Sequence, residues 1–317
     1  MVKVSIVILV KNGDAYLEEV LKKVFAQEIE EKFEVIAIDS GSTDNSKTIL
    51  SKFPVQLTEI PSMSFNHGET RNLGASLSQG AYLVYLTQDA IPGNEKWLES
   101  LIQPFKEDPL VAGAFSGHRP RTDCPLMEKR QILHTVLTSG SEKRVNTAVG
   151  NPEYERNPYP FIWFSNTSSC IRKEVWEKIP FRKLEFAEDQ DWAKRVLEAG
   201  YKTVYVPDSI VTHSHHYRSI KNFRRFFEHA RAMKEIFGKE EFPFFKNIFS
   251  ATRDSVKADF QFFQSEEGNK WGFIRWFFPS LFWYLSAFSG LWMGTHLERI
   301  PFKIREMFSL QPSIVKK

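Results

Sequence analysis

Four groups of residues in this chain are of a type and spacing that can do chemistry. Asp39 and Asp89 each follow a run of β-prone apolar residues. A carboxylate at the end of a buried strand can accept hydrogen bonds from a nucleobase or ribose, the role open to Asp39. It can also offer hard oxygen ligands to Mg2+ or Mn2+ bridging a diphosphate, the role open to Asp89. Either aspartate would serve equally as a turn residue. Glu188, Asp189 and Asp191 form an acidic cluster where a helix opens, a placement the helix dipole favours without any catalytic duty. Phe186 and Trp192 flank the cluster, and apolar flanks push a carboxyl pKa up toward the range of a general base. On a helix Glu188 and Asp191 share one face while Asp189 points elsewhere, so one carboxylate can meet a substrate while another anchors the helix. His213, His215 and His216 follow a strand-like segment. On a strand 213 and 215 face the same way and can share a metal ion, although a surface loop accounts for them as well. The fourth group is Phe65-Asn-His-Gly-Glu-Thr-Arg-Asn-Leu-Gly74, at a loop-to-helix junction. Backbone N–H groups at that helix start, together with Arg71, suit an anionic nucleotide. The segment is neither GxGxxG nor a P-loop.

The elements that must position these groups are legible from hydrophobic periodicity. Val4-Ser-Ile-Val-Ile-Leu-Val10 is nearly continuous in apolar residues, as for a strand buried on both faces. Helical spacing follows over 16–27, then a strand over 34–39 that ends in Asp39 and the turn Ser40-Gly41-Ser42. A helix capped around 43–46, a strand over 55–60, a helix over 71–78 and a strand over 81–86 complete the alternation. Thr87-Gln88-Asp89-Ala90 follows at once. This rhythm predicts an α/β fold with a mostly parallel sheet, in which ligands bind at the carboxyl ends of the strands. Residues 109–207 are less regular, with strands expected near 111–115, 168–172 and 203–206 and a helix from the acidic cluster to Ala199. Beyond Pro207 the pattern is helical.

Composition narrows the class. The 317 residues are 42% apolar and 26% charged, which excludes a disordered or fibrous protein. A net charge of +3 gives no case for nucleic acid. That charge is uneven: from Thr212 onward there are 17 Lys/Arg against 10 Asp/Glu, with 18 of the 28 Phe and 4 of the 8 Trp. A basic, aromatic end points to a membrane surface. Residues 276–297 carry no Asp, Glu, Lys or Arg, a length of 22 that just suffices to span a bilayer. Pro279, Gly290, Gly294 and His296 favour helices lying in the membrane plane over a span, with a helical cap packed on the body as the alternative. Cys124 and Cys170 lack metal spacing and read as free thiols of a reducing compartment. Residues 2–10 are too short and lack the cleavage site of a signal peptide, which leaves the catalytic body cytosolic.

Taken in order, Val4-Ser-Ile-Val-Ile…Asn12, Asp39-Ser-Gly-Ser-Thr-Asp44, Arg71-Asn72-Leu-Gly74, the strand ending at Asp89 and Glu188-Asp189-Gln-Asp191 resemble the family 2 glycosyltransferases. The resemblance covers about residues 2–216. Phe65-Asn66-His67-Gly68 and Thr87-Gln88-Asp89-Ala90 look like the rhamnosyltransferase branch that builds bacterial surface polysaccharides. It implies a GT-A (Rossmann-like) α/β fold, with a catalytic domain over 1–216, its nucleotide-sugar half about 1–108 and acceptor half about 109–216. A helical, membrane-associated region then follows over 217–317. By the same resemblance Asp39 contacts the nucleoside and Arg71 holds the nucleotide, with Asn12, Ser40, Gln88 and Asp89 on the donor side. Asp89 stands where the last Asp of Asp-x-Asp binds Mg2+ or Mn2+, and Thr87 replaces the first Asp, which thins the metal site. His213, or failing it His215, completes that site. Asp189 is the best match for the general base, with Glu188 next, and Asp191 and Trp192 fall on the acceptor side. The implied activity is inverting transfer of a sugar, by resemblance L-rhamnose from dTDP-L-rhamnose, to a lipid-linked glycan at the cytoplasmic face of the inner membrane. Three alternatives are a hexosyltransferase of the same fold using a UDP- or GDP-sugar, a nucleotidyltransferase, and a non-catalytic membrane-bound module. Val10-Lys11-Asn12-Gly13 lacks the Gly-rich loop of a nucleotidyltransferase, and the carboxylates at 39, 89, 188, 189 and 191 argue against a non-catalytic module.

Overall fold

The computed structural model describes residues 2–303 apart from 185, 216, 218, 239, 241, 243, 268, 269 and 302. The chain divides into two compact units, Met1–Pro120 with Ile132–His213 and Arg121–Gln131 with Ser214–Lys317. The boundary expected at 216 thus falls three residues earlier, and a segment from the middle of the chain joins the second unit. Buried polar bonding explains the exchange: Arg130 donates to Asp259 Oδ1 at 2.6 Å and to the Tyr284 hydroxyl at 2.7 Å.

Among the described residues the first unit is built on nine strands: β1 Val4–Val10, β2 Phe33–Asp39, β3 Val55–Glu59, β4 Tyr82–Thr87, β5 Ile91–Pro92, β6 Val111–Arg119, β7 Arg144–Asn146, β8 Ser168–Arg172 and β9 Lys202–Thr212. They form one sheet in the order β3-β2-β1-β4-β8-β6-β9-β5, with β7 also on β9. The pairs β1–β2, β1–β4, β2–β3 and β6–β9 are parallel. The expected parallel core is thus joined by antiparallel strands: β8 runs antiparallel to both β4 and β6, and β5 and β7 antiparallel to β9. Periodicity reveals that a strand is buried but not which way it runs. Alternate β1 residues Ile6, Ile8 and Val10 pack against Leu17, Val20, Leu21 and Val24 of helix α1 (Leu17–Phe25). Val7 points to the opposite layer, against helix α2 (His67–Leu77), where only a glycine fits at position 74: a Cβ there would collide with Val7. The acidic cluster opens helix α3 (Glu188–Glu198).

The second unit is helical: α4 (Ser219–Phe237), α5 (Asn247–Glu267) and α6 (Ile274–Thr295). Gly290 and Gly294, one turn apart, bring α6 so close to α4 that a Cβ at either would strike the backbone of Phe223 or Phe227. Asp259, fully buried, also accepts from the Ser280 hydroxyl at 2.6 Å and the Tyr284 hydroxyl at 3.0 Å. Among the described residues the other face of α6 is left open: Ile274, Phe277, Phe278 and Phe282 are exposed, as is Trp271 just before the helix. Trp271, Ile274, Phe277 and Phe278, with Phe260 and Phe273, line an open apolar cavity of about 420 Å³. Among the described residues no helix is long and apolar enough to cross a membrane. Of the basic, aromatic end of the chain, residues 302 and 304–317 lie outside the described residues.

Candidate active site

Register places the donor-side residues. Val10 pairs with Asp39 and Leu9 with Thr87, so β1, β2 and β4 end level and deliver Asn12, Asp39 and Asp89 to one edge of the sheet. Asp39 is fully buried. Its Oδ1 accepts from the amides of Gly41 and Ser42 at 2.9 and 2.8 Å, closing the turn, whereas Oδ2 has no hydrogen-bond partner. A buried carboxylate oxygen in that state is costly unless a ligand supplies a donor. Ser40 bonds back to the Val10 carbonyl through both its amide and its hydroxyl, and so holds β1 and β2 together. Asn12 has the left-handed φ of 49° that Asn tolerates, and its Oδ1 accepts from the Thr43 amide at 2.9 Å. Gln88 clasps the Lys11 backbone at both its amide and its carbonyl, 2.8 and 3.0 Å.

Sequence reasoning overlooked Lys11. Its Nζ donates to the carbonyls of Ser40 and Gly41 and to the Ser62 hydroxyl at 2.6–3.0 Å, locking three segments around the Asp39 turn. Nothing in a lone lysine after an apolar strand foretells that role.

Asp89 and His213 meet through strand pairing. Ile91 of β5 lies opposite Thr212 of β9 in antiparallel register, so the residue two before Ile91 and the residue after Thr212 become neighbours. Asp89 Oδ1 stands 3.6 Å from His213 Nε2, both partly buried. Two ligands of a single ion bonded at about 2.1 Å lie about 3 Å apart, so the pair fits a divalent cation with little movement. Carboxylate with imidazole suits Mn2+ better than Mg2+, which prefers oxygen alone. The hydroxyl of Thr87, where a second carboxylate would stand, is buried with no partner. His118 on β6, another residue the sequence did not signal, packs edge-on against the His213 ring at 6.0 Å. His215 belongs to the second unit, where its amide donates to Glu128 Oε1 at 2.7 Å and its ring stacks on Tyr217.

The acidic cluster is divided among three tasks. Ala187, in left-handed backbone at φ 59°, turns the chain into α3. Glu188 is buried and receives Arg71 Nη1 at 2.7 Å and the Asn166 side-chain amide at 3.2 Å. Burial alone would raise its carboxyl pKa, but the charges of Arg71 and His67 hold it below the usual value. Asp189 accepts from the backbone amides of Asn166 and Gln190 at 3.1 and 2.9 Å. Its surroundings push its pKa up to about 7, first through desolvation and then through the neighbouring Glu188 charge. That is the value a base working near neutrality needs. Asp191 is taken up by Arg195 at 2.8 Å and Arg182 at 3.4 Å. Trp192 is fully buried between Phe164 and Phe181 and donates to the Ile179 carbonyl, so it packs in the core instead of facing an acceptor. Its large apolar surface decides that placement. Arg71, expected on the nucleotide, is equally buried, and its charge is spent on Glu188. Asn166, which sequence spacing did not single out, joins Glu188 to Asp189.

Residues 5–164, half of the chain, match the family described as Glycosyl transferase family 2. The chain is 28% identical to the O-antigen chain rhamnosyltransferase RfbN of Salmonella typhimurium, over 98% of this chain and 95% of that protein. It is 26% identical to the O-antigen chain rhamnosyltransferase WbaN of Salmonella anatum, over 91% and 88%. Its fold is similar to that of the mannosyltransferase PcManGT from Pyrobaculum calidifontis in complex with GDP-Man and Mn2+, with TM-score 0.59, 16% identity and 92% and 87% of the two chains covered. Residues 1–349 of S. aureus TarS in complex with UDP give TM-score 0.53 at 15% identity, over 94% and 91%. The chain therefore belongs to glycosyl transferase family 2: it is a glycosyltransferase of GT-A fold, homologous to the O-antigen rhamnosyltransferases and working between a nucleotide-sugar donor and a glycan acceptor.

Proposed function

We propose that the chain transfers L-rhamnose from dTDP-L-rhamnose, with inversion at the anomeric carbon, to a lipid-linked glycan in bacterial surface polysaccharide synthesis. The observation that carries this reading is the similarity to two O-antigen rhamnosyltransferases along nearly the whole chain, well past the part that matches the family. In this reading Asp39 accepts a hydrogen bond from the nucleoside through its unpartnered Oδ2. Asp189 takes the proton from the acceptor hydroxyl. The acceptor oxygen then forms its bond to the anomeric carbon as the bond from that carbon to the diphosphate breaks, and the electron pair leaves on the diphosphate. Asp89 and His213 would hold Mn2+ or Mg2+, with His215, two residues further along the chain, as third ligand. When bound, the ion would stabilise charge on the departing diphosphate.

The same reading sets the enzyme on the cytoplasmic face of the inner membrane, held peripherally by the second unit. Its exposed Trp271, Ile274, Phe277, Phe278 and Phe282 support this, as does the basic charge of that part of the chain. Transfer assays on the full-length protein with dTDP-rhamnose, UDP-hexoses and GDP-hexoses test the donor. The expected result is rhamnosyl transfer with the inverted anomer identified by NMR. Transfer from a UDP- or GDP-sugar alone would overturn the donor assignment and leave the family intact.

A further inference from the structure

We propose that Arg71 and Glu188 form a positioning device for the general base, holding Asp189 on Asn166 and controlling its charge, in place of a grip by Arg71 on the donor. The inference rests on the reading of Asp189 as base and says what makes it one. Arg71 Nη1 and Glu188 Oε1 are 2.7 Å apart, with both side chains 7% exposed, so the pair is out of water. Arg71 Nη1 also reaches the His67 carbonyl at 3.2 Å, and Arg71 Nε is buried with no hydrogen-bond partner. The guanidinium is thus held inside the protein, on α2, with its strongest contact made to α3. Removing either partner would strand a buried charge, which is strongly unfavourable. Asn166 transmits the arrangement. Its side-chain amide donates to Glu188 Oε1 at 3.2 Å, its backbone amide donates to Asp189 Oδ2 at 3.1 Å, and its Oδ1 is fixed by the Ser169 hydroxyl at 2.8 Å.

The charged and titratable groups facing Asp189 are few. Glu188 beside it on α3 repels its ionised form, and Arg71 on α2 favours that form. His67, also on α2, acts on Glu188, and burial lowers its own pKa. Asp191, two residues further along α3, is already paired with Arg195 and Arg182. Glu188 is therefore the anion that opposes ionisation of Asp189, and Arg71 is the cation that tempers it.

The test measures turnover against pH together with the donor KM for Glu188→Gln, for Arg71→Lys and for the double variant Arg71→Gln with Glu188→Gln. In parallel, the Asp189 carboxyl is titrated directly by 13C NMR, its signal assigned through Asp189→Asn. Glu188→Gln removes the repelling charge and leaves Arg71 nearby, so the acid limb of turnover and the NMR titration both move down by about one unit or more. Adding Arg71→Gln moves both back up, while the donor KM stays within about twofold of Glu188→Gln alone. Arg71→Lys keeps the limb near its original place. The double variant carries no buried charge at this pair, so it also guards against loss of fold. Acid limbs and titrations that coincide in all variants, with donor KM rising about tenfold whenever Arg71 is changed, would overturn the proposal and return Arg71 to the donor. If Asp189→Asn keeps full turnover, the base reading fails, and the NMR titration still decides whether the pair governs Asp189.

Discussion

At the scale of single residues, Asp189 links rate to stability. Under the proposed base role its Asn variant removes the proton acceptor and leaves the donor side untouched, so turnover should fall by at least about 10²-fold with donor KM little changed. Under the same proposal, turnover of the unaltered enzyme should rise with pH through about 7, because a base in that role must be ionised to act. The same shift has a stability consequence of definite sign. A carboxyl whose pKa is raised by folding binds its proton more tightly in the native state, so stability declines as pH climbs from the ordinary carboxylate range through about 7. Asp189→Asn should therefore raise Tm at pH 8, and the gap should close toward pH 4; a Tm lowered equally at both would deny that burial strains this carboxylate. Asp89 poses a different question. Wild-type activity should vanish in excess chelator and return with Mn2+, whereas Asp89→Ala should no longer respond to the ion. Full wild-type activity in chelator would end the metal assignment.

At the scale of elements, α2 carries Arg71 to Glu188 and so positions the proposed catalytic network. Asn66 caps it by accepting from the amides of Gly68 and Glu69, both at 3.1 Å, and its side chain donates to the Leu184 carbonyl at 3.0 Å. Gly68 passes so close to the Arg182 carbonyl that no side chain fits there. Asn72 on the same helix donates to the Phe181 carbonyl at 2.8 Å and accepts from the Trp176 indole at 2.8 Å. Asn66→Ala should cost about 1–2 kcal/mol of stability, the usual size of a lost cap, read as a shift of the denaturation midpoint. Because the cap lies one turn before Arg71, the same variant should lower turnover more than it raises donor KM. The short pairing of β5 with β9 works likewise for Asp89 and His213, which reach each other only because Ile91 lies opposite Thr212.

At the scale of the whole molecule, the second unit leaves large aromatic side chains in water, Trp271 at 72% exposure and Phe278 at 61%. Such a patch marks a surface that meets an apolar partner. Under the membrane reading, each cation near an anionic surface contributes about 1 kcal/mol that salt screens, while inserted aromatics hold in salt. Full-length protein should thus stay partly bound to anionic lipid vesicles in 1 M salt. Replacing Trp271, Ile274, Phe277 and Phe278 together by Ser should release most of it, with donor hydrolysis retained. Complete release of the unaltered protein by salt would discount insertion, and no binding at all would leave these residues as the lining of a helical cap.

The sequence by itself determined the fold class, the strands that end at Asp39 and Asp89, the acidic start of α3 and the family to which these motifs belong. Periodicity and capping are local, and the order of short motifs survives being read along one dimension. The tertiary structure decided which charges meet. Arg71 and Glu188 are 117 positions apart, and no pattern along the chain announces that burial joins them. The directions of β5, β7 and β8, the core placement of Trp192 and the transfer of 121–131 to the second unit belong to the same kind. Each follows from packing between distant segments, where the demand that buried polar groups find partners selects one arrangement among many that the local signals allow.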